Sequence, residues 1–135
     1  MTRYLLDTGI AADYLSKRNG VFEQARGKRA TGNPIGIGMP VLAELVYGIE
    51  NSASRTRNMQ LLESALPTLK LWPFDKPAAF AYGRLQAELL RNGRPMQSID
   101  IMIAAIALTL GKCVIVSKDS DLSAVPGLAV ENWIS

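Results

Sequence analysis

The sequence predicts an α/β fold with a largely parallel sheet, on three observations. The segments "RYLLD" and "CVIVS" run without polar interruption, as expected of strands buried on both faces. Strand-like and helix-like segments alternate along the chain. The segment "SIDIMIAAIALTLG" has helical length and is apolar almost all round, which makes it a central helix. At 135 residues the chain is expected to form one domain around a single core, residues 1–135.

The elements follow in order. "RYLLD" is the first strand, and Thr8 is expected to cap a helix reaching about Lys17. Asn19-Gly20 breaks that helix, and "VFEQARGKRA" forms a second, basic one. "TGNP" is a turn. "IGIG" is a short strand, after which Pro40 opens the helix "PVLAELVYGIEN". Ser54 is placed to cap "RTRNMQLLESAL", which ends before Pro67. "LKLWPF" is extended. Asp75 and Pro77 begin the amphipathic "PAAFAYGRLQAELLRNG", stopped at Asn92-Gly93, and Ser98 is expected to cap the central helix. "CVIVS" is a buried strand, "DSDLSAVPG" a turn with a short helix, and "LAVENW" the last strand.

Composition excludes several chemistries. The chain has no histidine, so Ser-His-Asp and Cys-His catalysis, imidazole-driven RNA cleavage and His-ligated zinc are ruled out. The lone Cys113 lies in "CVIV" and reads as a small core residue. No apolar run is long enough for a membrane span, and no signal peptide opens the chain, so a cytoplasmic protein is expected. The formal charge of +3 permits a polyanionic partner.

If this is an enzyme, carboxylates, hydroxyls, lysines or a metal must act. Ligand sites in parallel α/β folds lie at the carboxyl ends of strands. Asp7 ends the first strand, and Asp119 follows "CVIVS". Glu44 is the sole charge in "MPVLAELVYGI" and is expected to be partly buried. Asp100 is the sole charge between Arg94 and Lys112, in the first turn of the central helix where the dipole favours an acid. Asp121 is a further candidate. By contrast Glu23, Glu63, Glu88 and Glu131 read as solvated, Asp13 as a surface residue and Asp75 as an N-cap. At about 5 Å, each like-charge pair repels by roughly 3 kcal/mol at an effective dielectric of about 20. A converging cluster therefore needs protons or a divalent cation, and all-oxygen ligation suits Mg²⁺ or Mn²⁺. Such an ion acts naturally on phosphates. Lys17, Arg18, Arg26, Lys28 and Arg29, with Arg55, Arg57, Arg84, Arg91 and Arg94 on later helices, are candidates for phosphate contacts.

With these residues in place, the chain resembles the PIN-domain family, most closely its VapC-type toxin ribonucleases from toxin–antitoxin pairs. "YLLDTGIAADYL" resembles the opening strand with its metal-binding aspartate, Asp7. "PVLAELVYGI" resembles the helix carrying the glutamate, Glu44. "SIDIMIAAIALTLG" resembles the third acidic motif, with Asp100, and is the most specific of the four. "VIVSKDSDLSAVPGLAVENW" resembles the closing segment, with Ser117 at the Thr/Ser position and Asp119 as the fourth acid. Gly9 stands where the family commonly has Asn, Ser117-Lys118 where it often has Thr-Asn or Thr-Arg, and Leu122 where it often has Phe. Asp121 is an alternative fourth acid. The resemblance implies a three-layer α/β/α fold and Mg²⁺- or Mn²⁺-dependent endoribonuclease activity. It also implies a homodimer and inhibition by a cognate VapB-type antitoxin. In it Asp7, Glu44, Asp100 and Asp119 hold the metal, while Thr8 and Ser117 orient ligands or water.

Three rivals compete. "LLDTG" is also how aspartic proteases present a catalytic carboxylate, but that fold is all-β and would need a symmetric dimer. A phosphoacceptor receiver domain needs adjacent acids after the first strand and a mid-chain aspartate after a strand, and neither is found. The third is a catalytically silent PIN-like binding module.

Overall fold

The computed structural model describes residues 1–135, the side chain of Ser120 excepted. Five strands, β1 (Arg3–Leu6), β2 (Ile35–Gly38), β3 (Lys70–Trp72), β4 (Cys113–Val116) and β5 (Ala129–Glu131), form one sheet in the order β3-β2-β1-β4-β5. Every neighbouring pair is parallel. The expected strands are all present, and the sheet is parallel throughout.

Six α-helices connect them: α1 (Thr8–Ser16), α2 (Val21–Ala30), α3 (Met39–Glu50), α4 (Arg55–Ala65), α5 (Lys76–Arg91) and α6 (Ser98–Leu110). The chain steps outward from β1 to β2 to β3, then returns past β1 to β4. Right-handed crossovers put helices joining strands in opposite directions on opposite faces, which makes three layers. The sheet interior is Leu5, Leu6, Ile35, Ile37, Ile115 and Val116, each at most 1% exposed. Burying such a side chain contributes about 2 kcal/mol. On α6, Ile101 and the run Ile103–Ala107 are all buried, as the all-round apolar pattern predicts.

Two expected caps belong to the preceding residue. Asp7, not Thr8, caps α1: its carboxylate accepts from the Ile10 N–H at 2.9 Å, and Thr8 is already helical. At α6, Gln97 holds the cap position and Ser98 begins the helix. Ser54 precedes α4 without a side-chain cap bond, whereas Asp75 caps α5 as expected, accepting from Ala78 N–H at 3.2 Å. At Gly36 a Cβ would stand 2.4 Å from the Lys70 carbonyl oxygen, so only glycine lets β2 lie this close to β3. Among the described residues, no helix is long and apolar enough to cross a membrane.

Candidate active site

The order of the sheet locates the site. Connections leave β1 and β4 in opposite directions, so their carboxyl ends flank a topological switch point, where open parallel sheets leave a crevice. Leu6 pairs with Val116 in the last register of that ladder, and the Asp7 N–H continues it by donating to the Val116 carbonyl at 3.0 Å. Asp7 and Ser117 therefore emerge side by side.

Ser117 is the one buried polar residue among the described residues, at 2% exposure. Its hydroxyl donates to the Asp7 carboxylate and accepts the Asp119 N–H at 2.9 Å. One side chain thus ties the aspartate after β1 to the aspartate after β4. Asp119 then accepts the Asp121 N–H at 2.9 Å, closing the start of the 3-10 turn Ser120–Ala124. Burial raises the Asp7 carboxyl above the ordinary range. Hydrogen bonds from Ser117 and Ile10 hold it back, the charge of Asp119 raises it further, and Lys118 lowers it.

Asp100 enters from α6, half-buried in its first turn. Its carboxyl is also raised, first by burial and then by the charges of Asp119, Asp7, Glu44 and Asp121. The four other candidate acids therefore all lie within electrostatic reach of Asp100. No hydrogen-bond donor or cation partners the Asp100 carboxylate among the described residues.

Glu44 differs from its expected state: it is exposed rather than partly buried. The buried face of α3 is Val41, Leu45 and Ile49, a four-residue repeat, and Glu44 lies about 100° round the helix from Leu45. It is nonetheless directed to the site, because the Thr8 hydroxyl donates to its carboxylate at 2.6 Å.

The basic residues are distributed differently from the sequence expectation. Lys28 and Arg29 end α2 just before β2, at the amino ends of the strands and so on the far side of the sheet from the acids. Arg29 donates to the Tyr14 hydroxyl at 2.9 Å, Lys28 lies over the Tyr4 ring, and Lys17 lies over Phe22. Arg55 pairs with Glu50. The cations near the acids are Lys118, Arg18 in a groove with Thr8 and Glu44, and Arg94 in a hollow with Asp121. Arg94 lies beyond the end of α5 rather than on it. The signal for it was topological: α5 and α6 pack antiparallel, with Thr109 beside Lys76 and Phe80, so their connection must stand at the Asp100 end. Cys113 is half-buried, its thiol pushed up to about 11 by burial, as befits a core residue rather than a nucleophile.

The donor set is entirely oxygen: carboxylates with two hydroxyls. Among the described residues no group of three or more acids is placed to hold a metal ion by itself, so an ion here would rely on water for much of its coordination. This fits a hard divalent cation such as Mg²⁺, which keeps several waters and takes few protein ligands, and does not fit zinc. The protease alternative fails on the fold, since Asp-Thr-Gly here is a helix start in a parallel α/β protein.

Comparison with known proteins agrees with this architecture. Residues 4–128 match the family model described as "PIN domain". The chain is 30% identical to "Ribonuclease VapC2" of Rickettsia felis over 130 residues, covering 96% of this chain and 97% of the relative. It is 30% identical to the "tRNA(fMet)-specific endonuclease VapC" of Shigella flexneri over 137 residues, covering 98% and 99%. Among solved structures, VapBC2 from Rickettsia felis bound to a promoter DNA fragment contains a chain that superposes with a TM-score of 0.90 at 29% identity, covering 98% of this chain and 99% of that one. A chain of DNA-bound VapBC from Salmonella typhimurium superposes with a TM-score of 0.88 at 30% identity, covering 98% and 99%. With its five-stranded parallel sheet, its acids at the switch point and a family match over most of its length, the chain belongs to the PIN-domain family.

Proposed function

We propose that the protein is a VapC-type endoribonuclease that hydrolyses RNA phosphodiester bonds with a divalent cation, Mg²⁺ or Mn²⁺, and is held inactive by a VapB-type antitoxin. The observation that carries this reading is the convergence of Asp7, Asp100 and Asp119, with Glu44 reaching in from α3, on one crevice where the charge of each disfavours ionisation of Asp100. Such a cluster is poised for a cation and has no other evident use.

Asp7, Glu44, Asp100 and Asp119 would hold the ion, directly or through water. When bound, it would supply Lewis acidity toward a phosphodiester and make a nearby water more acidic. The chain's own residues set up that site. Ser117 fixes Asp7 and Asp119 relative to each other. Thr8 turns the Glu44 carboxylate inward from an exposed helix face. Asp121 stands beside Asp119 as a further acceptor, and the 3-10 turn holds both.

The antitoxin surface in this reading is the groove of about 350 Å³ between α1, α3 and α4. Its apolar wall is Leu15, Leu45, Ile49 and Leu61, and it opens onto Thr8 and Glu44, so an occupant would also cover the acids. A homodimer and a cytoplasmic location belong to the same reading.

The test is cleavage of a structured RNA pool that includes initiator tRNA, the RNA for which the Shigella relative is named. The purified protein is assayed with Mg²⁺, with Mn²⁺ and with EDTA, beside Asp100→Asn. Metal-dependent cleavage absent from the variant is expected. No cleavage of any RNA, with no rise in melting temperature on adding either cation, would overturn the reading in favour of a silent binding module.

A further inference from the structure

We propose that the groove between the end of α5, residues 92–97 and the 3-10 turn Ser120–Ala124 seats the RNA strand beside the scissile phosphate, with Arg94 as its phosphate anchor. This rests on the ribonuclease reading above and adds to it where the strand runs.

Two adjoining hollows, of about 350 and 270 Å³, share Leu89, Arg94 and Ala124. The second includes Asp121, so the pair leads directly into the acid cluster. The floor is apolar: Leu85, Leu89 and Val125 are all under 9% exposed. Asn92 and Glu88 stand on the rim of the first hollow. An apolar floor with an amide and a carboxylate at its edge suits a nucleobase, whose face is apolar and whose edges form hydrogen bonds.

Arg94 is held in place by its backbone. Gly93, at φ +67, ends α5 with its N–H on the Leu90 carbonyl at 3.1 Å, and the Arg94 N–H reaches the Leu89 carbonyl at 2.8 Å. Those two bonds form a Schellman cap, which sets the direction of the chain at Arg94. The residue is exposed and has no carboxylate within 4 Å among the described residues, although Glu88 and Asp121 line the same hollows. A guanidinium free of an ion pair, beside a cluster that repels phosphate, is what a polyanion needs in order to approach. The planar fork also suits bidentate phosphate contact. A peptide is the competing occupant, but the groove between α1, α3 and α4, walled by Leu15, Leu45, Ile49 and Leu61, suits it better, and that groove lies on other helices.

The probe is a labelled single-stranded RNA of mixed sequence, titrated by fluorescence anisotropy at several salt concentrations. The full chain carries Asp100→Asn so that the RNA stays intact. Adding Arg94→Ala is expected to weaken binding about tenfold and to reduce the slope of log affinity against log salt by about 0.7. Arg94→Lys should recover part of the affinity and all of the slope. Ala124→Leu, which narrows both hollows without changing charge, should weaken binding and leave the slope unaltered. Lys70→Ala removes the same charge at the opposite end of the sheet and should change affinity less than twofold. Equal affinity and slope for Arg94→Ala and its parent would overturn the proposal, and so would equal losses from Lys70→Ala and Arg94→Ala. Failure of the ribonuclease reading itself is separate: the parent would then bind no RNA, and metal-dependent cleavage would be missing from the unsubstituted protein.

Discussion

Replacing Asp100 by Asn removes one charge from the acid cluster and should both abolish cleavage and stabilise the fold. A like-charge pair at about 7 Å costs about 2.4 kcal/mol at an effective dielectric of about 20. Asp100 is half exposed, and solvent reduces each such interaction to about 0.5 kcal/mol. Four acids act on it, which gives about 2 kcal/mol. Against this stands the favourable placing of an acid at the start of α6, about 0.5 kcal/mol, which Asn forfeits. The net gain of about 1.5 kcal/mol corresponds to about 4–8 °C in melting temperature for a chain of this size. The pH dependence follows from the raised carboxyl. The folded state binds this proton more tightly than the unfolded chain, so wild-type stability falls as pH rises from the unfolded value near 3.9 through the folded one. The advantage of Asn is therefore full at pH 7 and gone below about pH 4. The assay is thermal unfolding of both proteins at pH 7 and near pH 3.5 with EDTA, then at pH 7 with Mg²⁺. The cation should raise the wild-type melting temperature and leave the variant nearly unchanged. A variant that melts at or below wild type at pH 7 without metal, or that keeps its advantage at pH 3.5, would refute the electrostatic account. Retained cleavage would refute the role of Asp100.

Other outcomes follow from single contacts. Ser117→Ala removes the hydroxyl joining Asp7 to Asp119. It should cost about 1–3 kcal/mol by denaturant unfolding and lower cleavage at least tenfold, because Asp119 N–H and the Asp7 carboxylate both lose a partner. Glu44→Gln keeps the acceptor for Thr8 on an exposed helix face, so stability should change by less than about 0.5 kcal/mol while cleavage falls. A parallel loss of stability would mean that Glu44 matters to the fold rather than the site. Gly36→Ala drives a Cβ into the Lys70 carbonyl and should destabilise by about 2–3 kcal/mol, read as a lower denaturation midpoint with an unchanged slope. Cys113→Ala should leave cleavage unaltered, since its thiol titrates only near 11.

The strands and the central helix were legible because continuous apolar runs of that length, too short to cross a membrane as helices, have few alternatives. Asp7 and Asp100 were legible because a charge at the end of such a run must serve something. The Glu44 environment was not, since one residue of rotation separates the buried face of α3 from solvent and an isolated charge does not show on which side it falls. That Asp7 rather than Thr8 caps α1 is not legible, because Asp and Thr are both good capping residues and the sequence places them side by side. The basic helix α2 misled for another reason: charge density along a chain carries no information about which end of the sheet receives it. Arg94 shows the converse, a single cation whose place follows from antiparallel packing of two helices rather than from local composition.

The arrangement also explains how a cluster of like charges persists in a folded protein. Asp7 is the most deeply set of the acids, and two donors compensate it, the Ile10 N–H at the start of α1 and the Ser117 hydroxyl. Asp119 gains order from the same hydroxyl and donates none of its own stability to the core. Asp100 has the helix terminus alone, and Glu44 reaches in from solvent, where its charge costs little. Repulsion is thus concentrated on Asp100, at the crevice mouth, where a cation or a proton can relieve it without any movement of the sheet. A fully buried and fully bonded acid would gain nothing from a cation, and a fully exposed one could not hold it. The switch point between β1 and β4 supplies both conditions, which is why the acids gather there rather than along the basic helix where composition drew attention.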